Sequence, residues 1–405
     1  MFFAPERKTE EIDDDYRRHE TGRMRLTIHG GVGEKGRTCI GIEQAGTRLL
    51  LDVGVDTSAP RGPHHYPAIT PEELRRIDAI IVTHAHEDHV AALGWCLVNG
   101  FAGRIVMTAE AAAESAMALA AYATPEERAL AQKATVETIV PGREFAVGPL
   151  AVRTGRSGHV VGGVWCHLSA EGHSLGYCGD VVPDSPVLAM DPLPPCDLLL
   201  VDASYGADEV PAAERAAAIT GWLGRHPHGA VLPTPLSGRS IELIGLIDGP
   251  IAIHPSMREA LAGQIAARDW LKPGIAELLS HRLAGALFWE EGQPLPPAAL
   301  LCNDGMGLTG PSKAALIQAE REGHPILLTG HIPKGSPAEV LRADGKAEWL
   351  RFPTHPTLQE NAAIVVASGA GRVLAHSCDA ATARSLTGAI PKLIADLAPG
   401  DTIQI

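Results

Sequence analysis

The segment THAHEDHV, residues 83–90, sets His84, His86, Asp88 and His89 within six residues, directly behind the apolar run AIIV. Imidazoles with carboxylates suit zinc, manganese or iron. A tight loop splits such a pattern in two: His84 and His86 point to one place, Asp88 and His89 to a neighbouring one. Two ions about 3.5 to 4 Å apart can share a bridging oxygen. Taken alone the loop could be a solvated polar turn, and His159 or His376 alone could be a core histidine bonded to backbone. The pattern does not stand alone. RSGHVVGG offers His159 between glycines, GYCGDVV offers Asp180, whose two oxygens can bridge, and RVLAHS offers His376. Asp52 in LLLDVG suits hydrogen bonding to a ligand histidine better than ligation. Glu87 is expected to be a solvent-facing spacer.

Positioning these groups requires strands that end together. RMRLTIHGG, TRLLLDVG, AIIVTHAH, GRIVMTAE, LAVRTGRSGH, HSLGYCGD and DLLLVDASYG each place a short apolar, β-branched run before Gly, Asp, Ser or His. They read as strands ending in polar loops. The alanine-rich stretch TAEAAAESAMALAAYATPEERALAQKA favours helix. This order indicates an α/β layered domain with its chemistry at the edge where strands end. A second, helix-rich block follows Tyr205 and closes near HPILLTGH, and after Glu348 the strand-and-histidine pattern returns in WLRFPTHPTLQENAAIVVA and GRVLAHSCD. The expected organisation is an arm over 1–22, a first domain over 23–205 and 349–405, and a second domain over 206–348 that interrupts it.

Composition narrows the class. The chain has 405 residues and is 45% hydrophobic, enough for two cores. Seven cysteines stand singly with no CxxC pair, so buried reduced thiols are expected in place of a disulfide framework or a zinc knuckle. No apolar stretch reaches the roughly 20 residues of a membrane span, and the first residues lack a secretory core. A cytoplasmic protein without membrane contact is expected. A net charge of -14 argues against a broadly basic surface for nucleic acid, and with 4% aromatic residues no stacking stripe is present. Any nucleic acid must therefore be held in a cleft.

The order Asp52, H-x-H-x-D-H, His159, Asp180 resembles the metallo-β-lactamase fold family. The resemblance implies an αββα sandwich with a two-metal site on its edge. One metal would take His84, His86, His159 and Asp180, and the other Asp88, His89 and Asp180. LLLVDASYG resembles the acidic motif that opens the β-CASP insertion of the nucleic-acid-processing members, here Asp202 before Ser204, Tyr205 and Gly206. GAVLPTPLSGRSIELIGLI, NDGMGLTGPSKAAL and ILLTGH are similar to further segments of that group, and FPTHPTLQE and RVLAHS put His355 and His376 at its last two histidine motifs. By these carried-over roles His376 completes the second metal site, and His355, paired with Asp202, stands near the leaving group. The resemblance runs from about Met24 to about Leu386 and implies an α/β metallo-β-lactamase sandwich interrupted by an α/β β-CASP domain.

The implied activity is a two-metal phosphodiesterase cleaving RNA, with single-stranded DNA as a further substrate. Its cofactors would be two divalent ions, zinc ahead of manganese. Asp52, Asp88, Asp202 and His355 are the expected catalytic carboxylates and acid. Arg239 in SGRSIE and Lys313 in GPSK are candidates to meet phosphates, as are backbone amides of LTGPSK if a helix begins there; solvated surface is the plainer reading of both side chains. For Asp202 the plainer reading is a helix N-cap. Asp304 and His331 depart from the family pattern, as does the sequence after His376. Two alternatives remain: a hydrolase of small thioesters or lactones, and a scaffold paralogue without catalysis. A homodimer also stays open.

Overall fold

The computed structural model describes residues 23–332 and 335–405, and the arm expected over 1–22 lies outside them. Two sheets stack face to face. One runs, in spatial order, Thr402–Gln404, Arg25–Gly30, Cys39–Gln44, Thr47–Leu51, Ala79–Ile81, Arg104–Thr108 and Val136–Ile139. The other runs Arg372–His376, Leu198–Asp202, His173–Tyr177, Val164–Ala170, Leu150–Arg156 and Glu144–Val147. Successive side chains on a strand face opposite ways, so an unbroken apolar run feeds two interfaces at once. In TRLLL, Leu49 and Leu51 enter the core between the sheets while Leu50 meets the helices outside. Likewise Leu198 and Leu200 point inward, and Leu199 and Val201 outward.

The outer face of the first sheet is covered by Leu93–Val98 and Ala109–Tyr122, and that of the second by Leu358–Ser368 and Ala380–Leu386. The result is the four-layered αββα sandwich. Each fully buried Leu or Ile contributes about 1.5 to 3 kcal/mol relative to exposure, so these cores hold the strand ends firmly. All seven cysteines are free and buried.

A separate parallel sheet, in the order Ala230–Pro233, Ala299–Cys302, Ile251–Ile253 and Leu287–Phe288, has helices on both faces. Leu232, Ile253 and Leu301 pack with Ile241, Ile244 and Leu279, and this cluster also takes in Val161, Val164, Val187 and Leu188 from the sandwich. Apolar packing therefore joins the two bodies beside the loop that carries His159.

The alanine-rich stretch is helical as expected, split into Ala109–Tyr122 and Pro125–Lys133 because Thr124 and Glu127 form a capping box with Pro125 in the first turn. One local expectation is corrected. The run NAAIVVA lies in the helix Leu358–Ser368 and not in a strand. Thr357 and Glu360 form its capping box, and that start signal outweighs the β-branched residues within it.

Candidate active site

The candidate residues gather at the carboxyl ends of strands. Asp52 follows Thr47–Leu51, the histidine loop follows Ala79–Ile81, His159 follows Leu150–Arg156 and Asp180 follows His173–Tyr177. Asp202 and His376 end neighbouring parallel strands and are direct register partners. Close backbone approach makes the convergence possible. A Cβ on Gly54 would lie 1.7 Å from the Asp88 carbonyl oxygen, so the turn after Asp52 fits against the ligand loop only as glycine. Gly238, with φ 69°, packs on the His159 backbone, where a Cβ would meet its carbonyl oxygen at 2.9 Å.

Asp180 is the centre of the arrangement. Its Oδ2 lies 3.6 Å from Nε2 of both His84 and His159, and its Oδ1 lies 3.3 Å from His89 Nε2. His89 Nε2 is also 3.8 Å from Asp88 Oδ2, and His86 Nδ1 faces His159 Nε2 at 3.1 Å. One ligand atom each from His84, His86, His159 and Asp180 lies within 4.8 Å of the others, a set that could hold a cation. Nε2 of His84, His89 and His376 and Oδ1 of Asp180 are buried without a hydrogen-bond partner. Buried polar atoms are normally paired; four orphans converging from three strand ends are what a divalent cation would satisfy, and the donor set fits one.

The surrounding hydrogen bonds fix which nitrogen is free. Asp52 is fully buried and accepts from His89 Nδ1 at 2.8 Å, from the Tyr177 hydroxyl at 2.7 Å, and from the amide and hydroxyl of Thr83. A carboxylate beside Nδ1 keeps the proton there and leaves the Nε2 lone pair for a metal. The Thr83 hydroxyl gives its proton to Asp52, so it accepts from His84 Nδ1 at 3.1 Å, with the same consequence. His159 Nδ1 donates to the Thr354 carbonyl at 2.8 Å. Burial, reinforced by neighbouring imidazoles, lowers His84 well below the ordinary histidine value and His159 to about 3, so both are neutral, the form that ligates. Burial alone would lower His89, but the carboxylates of Asp180, Asp88 and Asp52 outweigh it and raise it.

His355 reaches the same carboxylate from another direction. Its Nδ1 is 2.8 Å from Asp202 Oδ2 and 3.8 Å from Asp180 Oδ2. Burial opposes protonation of His355, and Asp202 and Asp180 overcome it and raise the pKa. No helix begins at Asp202; its Oδ1 holds the amide and hydroxyl of Ser204 in a local turn, and its Oδ2 accepts from His355 and, at 3.3 Å, from the Val181 amide. The strap before His355 is pinned by Tyr205, whose hydroxyl donates to the Phe352 carbonyl at 2.6 Å and accepts from the Thr354 amide at 2.9 Å. Tyr177, Thr83, Gly54 and Thr354 are site residues that sequence reasoning missed. The proximity of Thr83 to the first histidine and the Asp-Val-Gly triplet were signals for two of them; Tyr177 and Thr354 gave none.

Glu87 is not a solvent-facing spacer. It opens the short helix Glu87–Val90 half-buried, and burial with the neighbouring Asp88 pushes its carboxyl up to about 7. Of the two candidate phosphate contacts, Lys313 is exposed on the helix Gly310–Glu322, whereas Arg239 is largely enclosed at the start of the helix Arg239–Leu246. A helix does begin at LTGPSK, but the amides of Met306, Leu308 and Thr309 are already bonded to the Asp304 carboxylate. Asp304 thus organises that turn in place of an outside anion.

Comparison with known proteins agrees with this geometry. Residues 47–236 match the profile of a beta-lactamase superfamily domain. The transcription termination factor FttA of Cenarchaeum symbiosum is 26% identical over 304 residues, covering 66% of this chain and 46% of that protein. The endoribonuclease ysh1 of Schizosaccharomyces pombe is 22% identical over 413 residues, covering 88% and 54%, and a ribonuclease of Thermus thermophilus is 30% identical over 196 residues, covering 45% and 44%. The chain spans about half the length of the curated relatives it matches. In fold it is similar to a protein of unknown function from Enterococcus faecalis V583, with a TM-score of 0.62 and 12% identity over 95% of this chain and 100% of that one. Among the described residues no helix is long and apolar enough to cross a membrane. The strand-end histidines and carboxylates, the αββα layers and these relatives lead to one conclusion: residues 47–236 carry the match to a beta-lactamase superfamily domain, and the chain is similar in sequence to proteins named as a transcription termination factor and as ribonucleases.

Proposed function

We propose that this chain hydrolyses phosphodiester bonds of RNA with two divalent metal ions. The observation that carries the reading is Asp180, set between the His84 and His159 nitrogens on one oxygen and His89 on the other, with the His355–Asp202 pair 3.8 Å away. His84, His86, His159 and Asp180 would hold one ion, and Asp88, His89, His376 and the other oxygen of Asp180 the second. When bound, such a pair supplies hydroxide at neutral pH and clamps a phosphate oxygen. Asp52 acts through His89, fixing its proton on Nδ1. Asp202 does the same for His355, whose Nε2–H then gives its proton to the departing ribose oxygen; a positioned acid contributes about 10² to 10⁴-fold.

In this reading residues 23–205 with 349–405 form the metal-holding unit, and residues 206–348 form the lid that shapes the cleft for a polymer. Zinc is the expected ion, RNA the preferred polymer and the cytoplasm the expected place of action. The relatives named as ribonucleases support the RNA assignment. The test is digestion of end-labelled RNA and DNA, with 5'-phosphate or 5'-hydroxyl ends, by protein of measured metal content. Cleavage by the wild type that Asp88→Ala abolishes is expected; if the metal-loaded wild type cuts neither polymer, the reading is wrong.

A further inference from the structure

We propose that Lys35, Arg239, His331 and Arg351 form a phosphate-binding ledge beside His355, gripping a backbone phosphate of the substrate strand away from the bond that is cut. The inference rests on the nuclease reading for its ligand and on separate residues for its evidence.

Arg239 is the core of the ledge. It occupies the first turn of the helix Arg239–Leu246, where the macrodipole is positive and a cation is disfavoured. Its Nε is buried without a partner, and among the described residues its guanidinium makes no ion pair. Glu242, one turn on, uses one oxygen to accept from the Ser185 hydroxyl and does not pair with it. An enclosed, unpaired cation is costly to a fold. The guanidinium is pressed on Gly330, where a Cβ would lie 2.1 Å from Nη1, and His331 follows directly.

Two other cations, Lys35 and Arg351, and the imidazole of His331 lie close to Arg239. The Trp349 indole donates to the Gly330 carbonyl at 2.8 Å and lies 5.2 Å from the Arg351 guanidinium. Arg351 stacks on Tyr205 at 4.5 Å, and Lys35 Nζ reaches the Ser204 carbonyl at 3.5 Å. His331 is lowered first by burial and then by Lys35, Arg351 and Arg239, with the Asp88 carboxylate opposing them. The carboxylate nearest Arg351 is Asp208, at 2.9 Å, and it is shared with Arg215. Among the described residues neither Arg239 nor Lys35 makes an ion pair, and the one carboxylate paired with Arg351 is divided with Arg215. The Tyr205 ring is 5.2 Å from the His355 ring, which places the ledge at the mouth of the site. Arginine's planar fork matches a phosphate, and contacts of this kind position a strand without reading its sequence.

The test is binding of fluorescein-labelled RNA dodecamers to the full chain, with Asp88→Ala introduced to suppress turnover. Arg239→Gln and Lys35→Gln should each weaken binding about tenfold and reduce the slope of log K against log salt by about 0.7. Arg239→Lys should recover part of the loss. Arg225→Gln, exposed on the far end of the helix Ala212–Arg225, removes the same charge and should leave the slope in place. If Arg239→Gln does not fold, Lys35→Gln, an exposed position, decides alone. Losses with both 5'-hydroxyl and 5'-phosphate dodecamers mean an internal phosphate is held, and losses confined to the latter mean a terminal one. Unchanged slopes in both variants, equal losses with Arg225→Gln, or no binding of the dodecamer overturn the ledge. RNA that binds with the full slope yet is never cut by metal-loaded wild type sinks the nuclease reading and leaves the ledge standing.

Discussion

The histidine loop and the His355 strap meet at Asp180 but are held there in different ways. The loop of residues 83–89 is fixed from within one sheet: Asp52, at the end of the neighbouring strand, gathers Thr83 and His89, and Gly54 lets the two backbones touch. The strap is fixed by atoms remote in sequence, with Tyr205 bonded to Phe352 and Thr354, Asp202 to His355, and the Thr354 carbonyl to His159. The histidine loop is thus built into the sandwich, while the placement of His355 depends on how a late segment returns to it.

This difference can be broken at each end. His84→Ala should have the largest effect, a fall of about 10³-fold or more in RNA cleavage, with bound metal per chain falling alongside it. Asp202→Asn should lower kcat by about 10² to 10⁴-fold while metal content, measured by elemental analysis, stays near the wild-type value. A loss of metal in Asp202→Asn would merge the two regions into one. Tyr205→Phe removes one hydroxyl that bonds the Phe352 carbonyl and the Thr354 amide and hydroxyl, each bond worth about 1 kcal/mol; a fall of about tenfold in kcat with unchanged metal content is expected.

The smallest effect concerns the joint between the bodies. Glu242 is fully buried, and burial pushes its carboxyl up to about 7. The folded chain therefore keeps a proton that the unfolded chain releases near its ordinary value. Stability is complete below that ordinary value and declines as pH rises toward and through 7. Glu242→Gln should flatten this decline, raising the melting temperature by about 3 °C at pH 8 and changing it little at pH 5. Equal melting curves for the two proteins at pH 8 would show that the carboxyl is not protonated in the fold.

Legibility in the sequence followed the same division. His84, His86, Asp88 and His89 are close in the chain, and the strand that ends at Ile81 announces where they emerge, so the loop was readable from spacing. Asp180, Asp202 and His376 were readable because each terminates an apolar run. Tyr177 and Thr354 were not, since their importance comes from partners 125 and 195 residues away. Glu87 was misread because half-burial arises from what packs over the loop, which spacing does not encode. The helix Leu358–Ser368 was misread for a local reason: β-branched content was weighed above the Thr357–Glu360 capping box. Arg239 was found by motif, but its buried Nε without a hydrogen-bond partner became visible only in the fold.

Asp52 has a bearing on how this site can change over generations. Its backbone sits at φ 61°, a conformation that glycine, asparagine and aspartate tolerate best, while its oxygens receive protons from Thr83, His89 and Tyr177. Glycine would keep the backbone and lose every acceptor; asparagine would aim an amide donor at groups that are themselves donors; glutamate would keep the charge and meet the steric penalty. No single replacement meets both demands, so a lineage that gives up this aspartate must rebuild Thr83, His89 and Tyr177 together. The position acts as a mutational dead end, because its backbone conformation and its three donors constrain it together.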